Sequence, residues 1–270
     1  MFDLTAIDFS LADWIIFVVA GVFTGIINTL AGSGSLITLP IFILICGLPA
    51  PVANGTNRIG VLVQGVVGIR GFWKNGQLPL EGIGWLIVPT VIGASLGALV
   101  AVDLDEKGMN LAIGILMVFM LGVMLINPKR WIRVSQPDPS RNKHPLTLFI
   151  FLLIGFYGGF IQAGVGIFLL AGLVLIAKLD LGKANGVKLL LVFVFNLPAL
   201  LIFIMENQVH FMFGTLMAIF QAIGAYLGVR FVAKVPNANI WIHRLLVVIV
   251  AISALKFLGP YDYVLSLITE

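Results

Sequence analysis

The chain is short of charge. Asp, Glu, Lys and Arg together make up 10% of its 270 residues, against roughly 25% in a soluble domain. So few ions could not cover the surface of a soluble fold, which excludes a cytosolic globular enzyme, a disordered protein and a nucleic-acid binder. Cysteine is almost absent. Cys46 stands alone, so no intrachain disulfide and no thiolate metal site can form. The histidines, His144, His210 and His243, fall at or near the ends of apolar runs, and no phosphate-binding loop is followed by Lys-Ser or Lys-Thr. No metal, no cofactor and no nucleic-acid partner is expected. Acidic residues are missing from the interior of the apolar runs. Residues 1–13 hold Asp3, Asp8 and Asp13 but no Lys or Arg. They lack the basic start of a signal peptide and read as a mature N-terminus.

What the chain has in excess is apolar surface and glycine. Sixty per cent of residues are hydrophobic, the mean hydropathy is +1.11 and 30 residues are Gly. Such a composition needs lipid as its solvent. Apolar runs separated by charge or turn clusters give ten helical segments, near 13–31, 34–47, 53–73, 80–101, 109–126, 145–163, 165–178, 184–205, 211–233 and 239–258. A spanning helix needs ~20 residues. The second and seventh segments have only about 14, the length of half-helices or short tilted helices. Each follows a glycine-rich break, Ala31-Gly32-Ser33-Gly34-Ser35 and Gln162-Ala163-Gly164-Val165-Gly166.

Charge orients the segments. With the N-terminus outside and every segment changing side, the inner connections carry 11 basic residues, from Arg70 to Lys234, and the outer ones only Lys107 and Lys256. Most acids, from Asp3 to Glu270, fall outside. Both termini are therefore expected outside. Residues 127–145, with Pro137, Pro139 and five basic residues, read as a cytoplasmic linker. It separates a first repeat, 1–126, from a second, 146–270.

The two halves resemble each other. Gly21-x-x-x-Gly25 matches Gly155-x-x-x-Gly159 at a spacing of 134, and Ala31-Gly32-Ser33-Gly34 matches Ala163-Gly164-Val165-Gly166 at 132. Ala53-Asn54-Gly55 matches Ala184-Asn185-Gly186, and Ile92-Gly93-Ala94 matches Ile223-Gly224-Ala225, both at 131. Five segments is an odd number, so the second half enters the membrane from the opposite side. The expected fold is all-α and polytopic, with two inverted repeats whose short broken helices meet at the midplane, as in many secondary transporters.

A helix start presents unpaired N–H groups and the positive end of the helix dipole. Glycine lets a ligand approach that backbone closely. Two such starts at one place form an anion site, to which Ser33, Ser35 and Thr38 add hydroxyls. The alternative is that the glycines only allow close helix crossing, and for Gly93, Gly97, Gly224 and Gly228 this is the preferred reading. Arg58 and Lys188 lie just inside long apolar segments, where a charge costs up to ~2.5–3.5 kcal/mol at mid-membrane. Asn54, Arg58, Val61 and Gln64 share one helical face, as do Asn185, Lys188, Val192 and Asn196. Snorkelling to headgroups is the alternative use of each cation. With no acid to neutralise them, two cations beside two helix starts leave an anion as the missing partner. Asn28, Gln162, Asn196 and Gln221 are polar residues in apolar helices, suited to holding freed carbonyls or to touching substrate. A serine nucleophile at Ser33 would need a base within hydrogen-bond reach, and none lies nearby in sequence.

Three stretches, Gly25 to Pro40 (GIINTLAGSGSLITLP), Gly47 to Asn57 (GLPAPVANGTN) and Gly155 to Ala171 (GFYGGFIQAGVGIFLLA), resemble the sulfite exporter TauE/SafE family of membrane permeases. The duplicated form and the length match as well. The family's first break often reads Gly-Gly-Gly-Ser, where this chain has Gly32-Ser33-Gly34-Ser35. The resemblance implies movement of sulfite, an organosulfonate or another organic acid, and a bacterial inner membrane. Together these readings give a transporter, not an enzyme, that exports a small sulfur-containing anion by alternating access. Its expected substrate contacts are Gly32, Ser33, Gly34, Ser35, Asn54, Thr56, Asn57, Arg58, Gly164, Gly166, Asn185 and Lys188. Asn28, Gln162 and Asn196 give polar support. A passive anion channel and a permease for another organic anion remain the alternatives. A homo-oligomer is compatible with the composition.

Overall fold

A computed structural model of the chain describes residues 9–125, 142–232, 247–248 and 250–255. The expected linker lies outside the described residues up to position 141, as do both termini. Among the described residues the chain runs through nine helices: α1 (Leu11–Leu30), α2 (Ser35–Leu44), α3 (Ala50–Lys74), α4 (Gly84–Val102), α5 (Glu106–Leu125), α6 (Pro145–Phe160), α7 (Val165–Leu175), α8 (Leu181–Met205) and α9 (Phe211–Val232). Residues 250–255 are also helical, within the expected tenth segment.

Local chemistry sets the helix starts. Ser10 accepts from the Asp13 N–H at 3.2 Å while Asp13 accepts from the Ser10 N–H at 3.0 Å, a capping box that opens α1. Asp180 accepts from the Lys183 N–H at 3.0 Å and opens α8. Pro51 sits in the first turn of α3, where its missing N–H costs nothing.

Five helices are long and apolar enough to cross a membrane: α1, α4, α5, α8 and α9. At 25 residues α3 is long enough, but it carries Asn54, Asn57, Arg58 and Gln64. The molecule is inside out relative to a soluble protein. Arg58, Lys188, Asn57 and Asn196 are buried, while Val88, Leu201 and Leu146 are each 60% exposed.

α2 and α7 do not cross. With 10 and 11 residues, they span only about 15–17 Å at 1.5 Å per residue. Each folds back along its predecessor. Gly34 lies against Thr24 and Asn28, and Phe42 lies 6.4 Å from Phe17, so α2 runs antiparallel to α1. Gly172 lies against Phe151, and Val165 against Gly158, so α7 returns along α6. The two short helices are re-entrant. A hairpin returns the chain to its starting face, as two successive crossings would.

Helix pairing repeats between the halves. α1 runs parallel to α9, with Gly25 packed on the Gln221 backbone, and α6 runs parallel to α4, with Gly155 packed on the Thr90 backbone. α3 and α8 cross antiparallel, with Gly55 near Phe203 and Gly68 near Leu189. Left-handed residues recur at matched places: Gly32 (φ +73) with Gln162 (φ 64), Gly47 (φ +65) with Lys178 (φ 59), and Gly76 (φ +67) with Asn207 (φ 57).

Helix packing gives the glycine faces of α1 and α6 a spacing of their own. Gln221 and Thr90 are 131 apart, so Gly25 corresponds to Gly155 and not to Gly159, one helical turn away from the sequence match. At the breaks the helix starts, Ser35 and Val165, are 130 apart, whereas the left-handed glycines, Gly32 (φ +73) and Gly164 (φ +74), keep the spacing of 132. Packing against a carbonyl decides the register, whereas the recurrence of Gly at 155, 158 and 159 offers several. The helix-crossing role of the α4 and α9 glycines holds. A Cβ at Gly93 would strike the Leu152 carbonyl, one at Gly97 the Phe156 carbonyl, and one at Gly224 the Val22 carbonyl.

Candidate functional site: the meeting of two re-entrant tips

The two breaks touch. The Gly166 N–H donates to the Gly32 carbonyl at 3.0 Å, and a Cβ at Gly166 would run into the Gly32 Cα. Gly32 and Gly164 both hold left-handed backbone, the conformation that favours glycine. The two short helices therefore start at one place in the interior. Neither start has a side-chain cap. In α2 the first bonds are Leu36 N–H to Ser33 at 3.1 Å and Ile37 N–H to Gly34 at 2.9 Å; in α7 the Ile167 N–H reaches Gly164 at 3.0 Å. The N–H groups of Ser33, Gly34, Ser35 and Gly164 take no acceptor among the described residues. The Ser33 hydroxyl is fully buried and also has no partner. Unpaired donors in an apolar interior are costly, and an anion would satisfy them.

A polar network ties the tips to α3 and α8. Asn57 donates to Ser35 Oγ at 2.9 Å and to Gln162 Oε1 at 3.3 Å, and accepts from Thr38 at 2.6 Å. Gln162 donates to Asn196 Oδ1 at 3.2 Å, and Asn196 donates back to the Arg58 carbonyl at 2.9 Å.

The cations take partners that a sequence does not display. Arg58, on α3, donates to the Gly158 carbonyl at 3.4 Å, to Asn196 Oδ1 at 3.1 Å and to the Gly159 carbonyl. Its guanidinium lies 4.5 Å over the Phe203 ring. Lys188, on α8, donates to the Asn28 carbonyl at 3.0 Å, the Thr29 carbonyl at 3.1 Å and Asn185 Oδ1 at 2.9 Å. Each cation thus sits at the C-terminal end of the opposite hairpin's first helix, where the dipole is negative and the last carbonyls lack intrahelical partners. Carbonyls carry no formal charge, and among the described residues the one ion pair, Lys183 with Asp180 at 3.4 Å, is elsewhere. Arg58 keeps its Nε unpaired.

Of the residues singled out in sequence, the structure brings together Gly32, Ser33, Gly34, Ser35, Asn57, Gly164, Gly166 and Gln162 at the tips, with Arg58, Asn196, Lys188 and Asn185 adjoining. Asn54 turns to the end of α6, donating to the Phe160 carbonyl at 2.7 Å. Thr56 faces away, accepting from the His210 N–H at 2.8 Å. Asn28 contributes its carbonyl to Lys188 rather than its amide. Sequence reasoning missed the carbonyls of Gly158 and Gly159, Phe203, and Tyr157, whose hydroxyl donates to the Ala163 carbonyl in the second break. The tips are buried: Gly32, Ser33, Gly34, Gly164 and Gly166 are all shielded from solvent.

Residues 17–257 match the family model described as "Sulfite exporter TauE/SafE". The chain is 29% identical over 243 residues to the "Probable membrane transporter protein ORF9" of a Sinorhizobium species, covering 89% of this chain and 90% of that protein. It is 27% identical over 216 residues to a "Probable membrane transporter protein" of Haemophilus influenzae, covering 78% and 82%. It is 26% identical over 240 residues to the "Probable membrane transporter protein YfcA" of Escherichia coli K12, covering 88% and 86%. No solved structure matches.

Proposed function

This chain belongs to the sulfite exporter TauE/SafE family, and from that premise we propose that it is a membrane transporter that exports a small sulfur-containing anion, sulfite or an organosulfonate. It is a multi-pass integral membrane protein. The observation that carries the reading is the contact of Gly166 with Gly32, which puts two uncapped helix starts and the unpartnered Ser33 hydroxyl at one buried place. An oxyanion there would accept from Ser33, from the free N–H groups of Gly34, Ser35 and Gly164, and from Arg58 Nε. Arg58 and Lys188 supply positive charge from behind the tips.

The repeated helix pairing, with α3 and α8 antiparallel, supports two inverted repeats and alternating access between them. The burial of the tips supports a carrier over an open channel. The basic bias of one set of connections supports termini on the outer side of a bacterial inner membrane. With the inside negative, expelling one negative charge is favoured by ~2.3 kcal/mol per 100 mV, so export needs no coupling ion.

The test is sulfite counterflow in vesicles carrying the purified protein. Saturable exchange is expected, with Ser33→Ala weakening sulfite affinity about tenfold, the ~1.4 kcal/mol of one hydrogen bond to a charged group. Flux linear in sulfite at all concentrations would make the protein a channel. No sulfite-dependent flux, with flux of a sulfur-free organic acid, would move the substrate outside the sulfur class.

A further inference from the structure

Two buried glutamines remain without a use in this scheme. Gln64 on α3 is 2% exposed and Gln221 on α9 is fully buried, and both atoms of both amides lack a hydrogen-bond partner. Natural interiors seldom leave such groups unpaired, and each exception calls for a ligand, a water or a functional reason.

The two lie close together. The Gln221 amide rests on Gly60, where an added Cβ would sit 2.8 Å from its Cδ and 3.1 Å from its Nε2. Gln64 is one turn further along α3, about 6 Å by helical rise. Thr24, 1% exposed with its hydroxyl also unpartnered, packs against Gly34 at the first tip. Gln221 packs its backbone on Gly25, the next residue of α1. Unpaired polar atoms therefore lead from the tip of α2 along α1 to the seam between α3 and α9.

The corresponding seam in the other half does without them. At the repeat spacing of 131, Gln64 corresponds to Phe195, and Gln221 to Thr90, whose hydroxyl bonds the Leu86 carbonyl at 2.5 Å. α4 packs on α8 with apolar and paired groups. The amides are thus not what this packing requires.

We propose that Gln64 and Gln221 bind the oxygens of the transported oxyanion at a second polar station on its route, beside the first tip, when α3 and α9 part. Amide N–H groups donate to the oxygens of sulfite or a sulfonate, and amide carbonyls accept from a protonated oxygen such as that of bisulfite. This rests on the anion-transport reading given above.

The experiment compares wild type with Gln64→Leu and Gln221→Leu in three readouts: melting temperature of the purified protein, sulfite dissociation constant, and sulfite flux in vesicles. The expected result is an unchanged or raised melting temperature, because an unpaired buried amide has been replaced by apolar surface. Sulfite affinity should fall about tenfold in each variant, with a matching loss of flux at low sulfite. Gln221→Glu keeps the size and the hydrogen-bonding capacity but adds negative charge, and should weaken sulfite further than leucine does. Normal affinity and flux in both leucine variants would overturn the second station and leave the transport reading standing. So would a lowered melting temperature with unchanged affinity, the mark of amides satisfied by structural water. A wild type that neither binds nor moves sulfite, thiosulfate or a sulfonate would remove both readings together.

Discussion

Lys188 does for the first hairpin what Arg58 does for the second. Lys188 reaches from α8 to the carbonyls of Asn28 and Thr29, and Arg58 reaches from α3 to those of Gly158 and Gly159. The two carbonyl pairs are 130 apart, the same spacing as the starts of α2 and α7. A positive side chain from one half thus closes the last turn of a helix in the other.

Removing Arg58 takes the side-chain donor from the Gly158 and Gly159 carbonyls, and removing Lys188 takes it from Thr29 and from Asn28, whose carbonyl keeps the Gly32 N–H at 3.0 Å. Arg58→Gln and Lys188→Gln should each lower the unfolding free energy by about 1–3 kcal/mol, read as a fall in melting temperature in detergent. On the proposed function, Arg58→Ala and Lys188→Ala should also abolish sulfite binding. Near-normal affinity in both would remove the cations from the anion site and leave them as helix caps.

The contact between the tips tolerates no side chain. In Gly166→Ala the new methyl meets the Gly32 backbone, so the tips must separate. Transport should be lost while circular dichroism still shows full helix content. A Gly166→Ala protein with wild-type flux would show that the tips need not touch.

Glycines on helix faces should divide by what they meet. Gly93→Ala drives a methyl into the Leu152 carbonyl and should cost about 1–3 kcal/mol, as overpacking does. Gly122, on α5, has open space around it, so Gly122→Ala should be neutral or stabilising by up to ~1 kcal/mol through helix propensity. Thermal melts of the two variants check the contrast.

Orientation can be read with a single thiol. After Cys46→Ser, which removes the one native cysteine, cysteine is placed at exposed Lys107 or exposed Lys74. A membrane-impermeant maleimide added to intact cells should label Lys107→Cys, and should reach Lys74→Cys only after lysis. The reverse pattern would turn the molecule over.

Much of this architecture is legible in the residues. Scarcity of charge gives the membrane, and two short apolar runs behind glycine clusters give the two short helices, though not that they turn back, since the charge pattern reads as every segment changing side. What escapes is written in the backbone. Gly47 and Lys178 hold the same left-handed turn, as do Gly76 and Asn207, yet no comparison of letters pairs Gly with Lys or Asn. In the second break both Gln162 and Gly164 take the left-handed conformation of Gly32, and matching letters finds only the glycine. The partners of Arg58 and Lys188 were invisible for a related reason. A search for acids finds none, while the groups that hold these cations are carbonyls, which every residue has and no letter marks. Thr56 looked like a site residue because it sits between Asn54 and Asn57, but its position on the helix turns it toward the start of α9.

The exchange of cations between halves also decides which pieces can travel as a unit. Where the bonds of Lys188 to the Asn28 and Thr29 carbonyls persist through a transport cycle, α8 is fastened to α1, and where those of Arg58 to the Gly158 and Gly159 carbonyls persist, α3 is fastened to α6. Each half of the polypeptide then holds a helix end of the other, so neither half can move without carrying part of its counterpart. The bonds between α3 and α8, of Arg58 with Asn196, are the ones such a stroke would have to break.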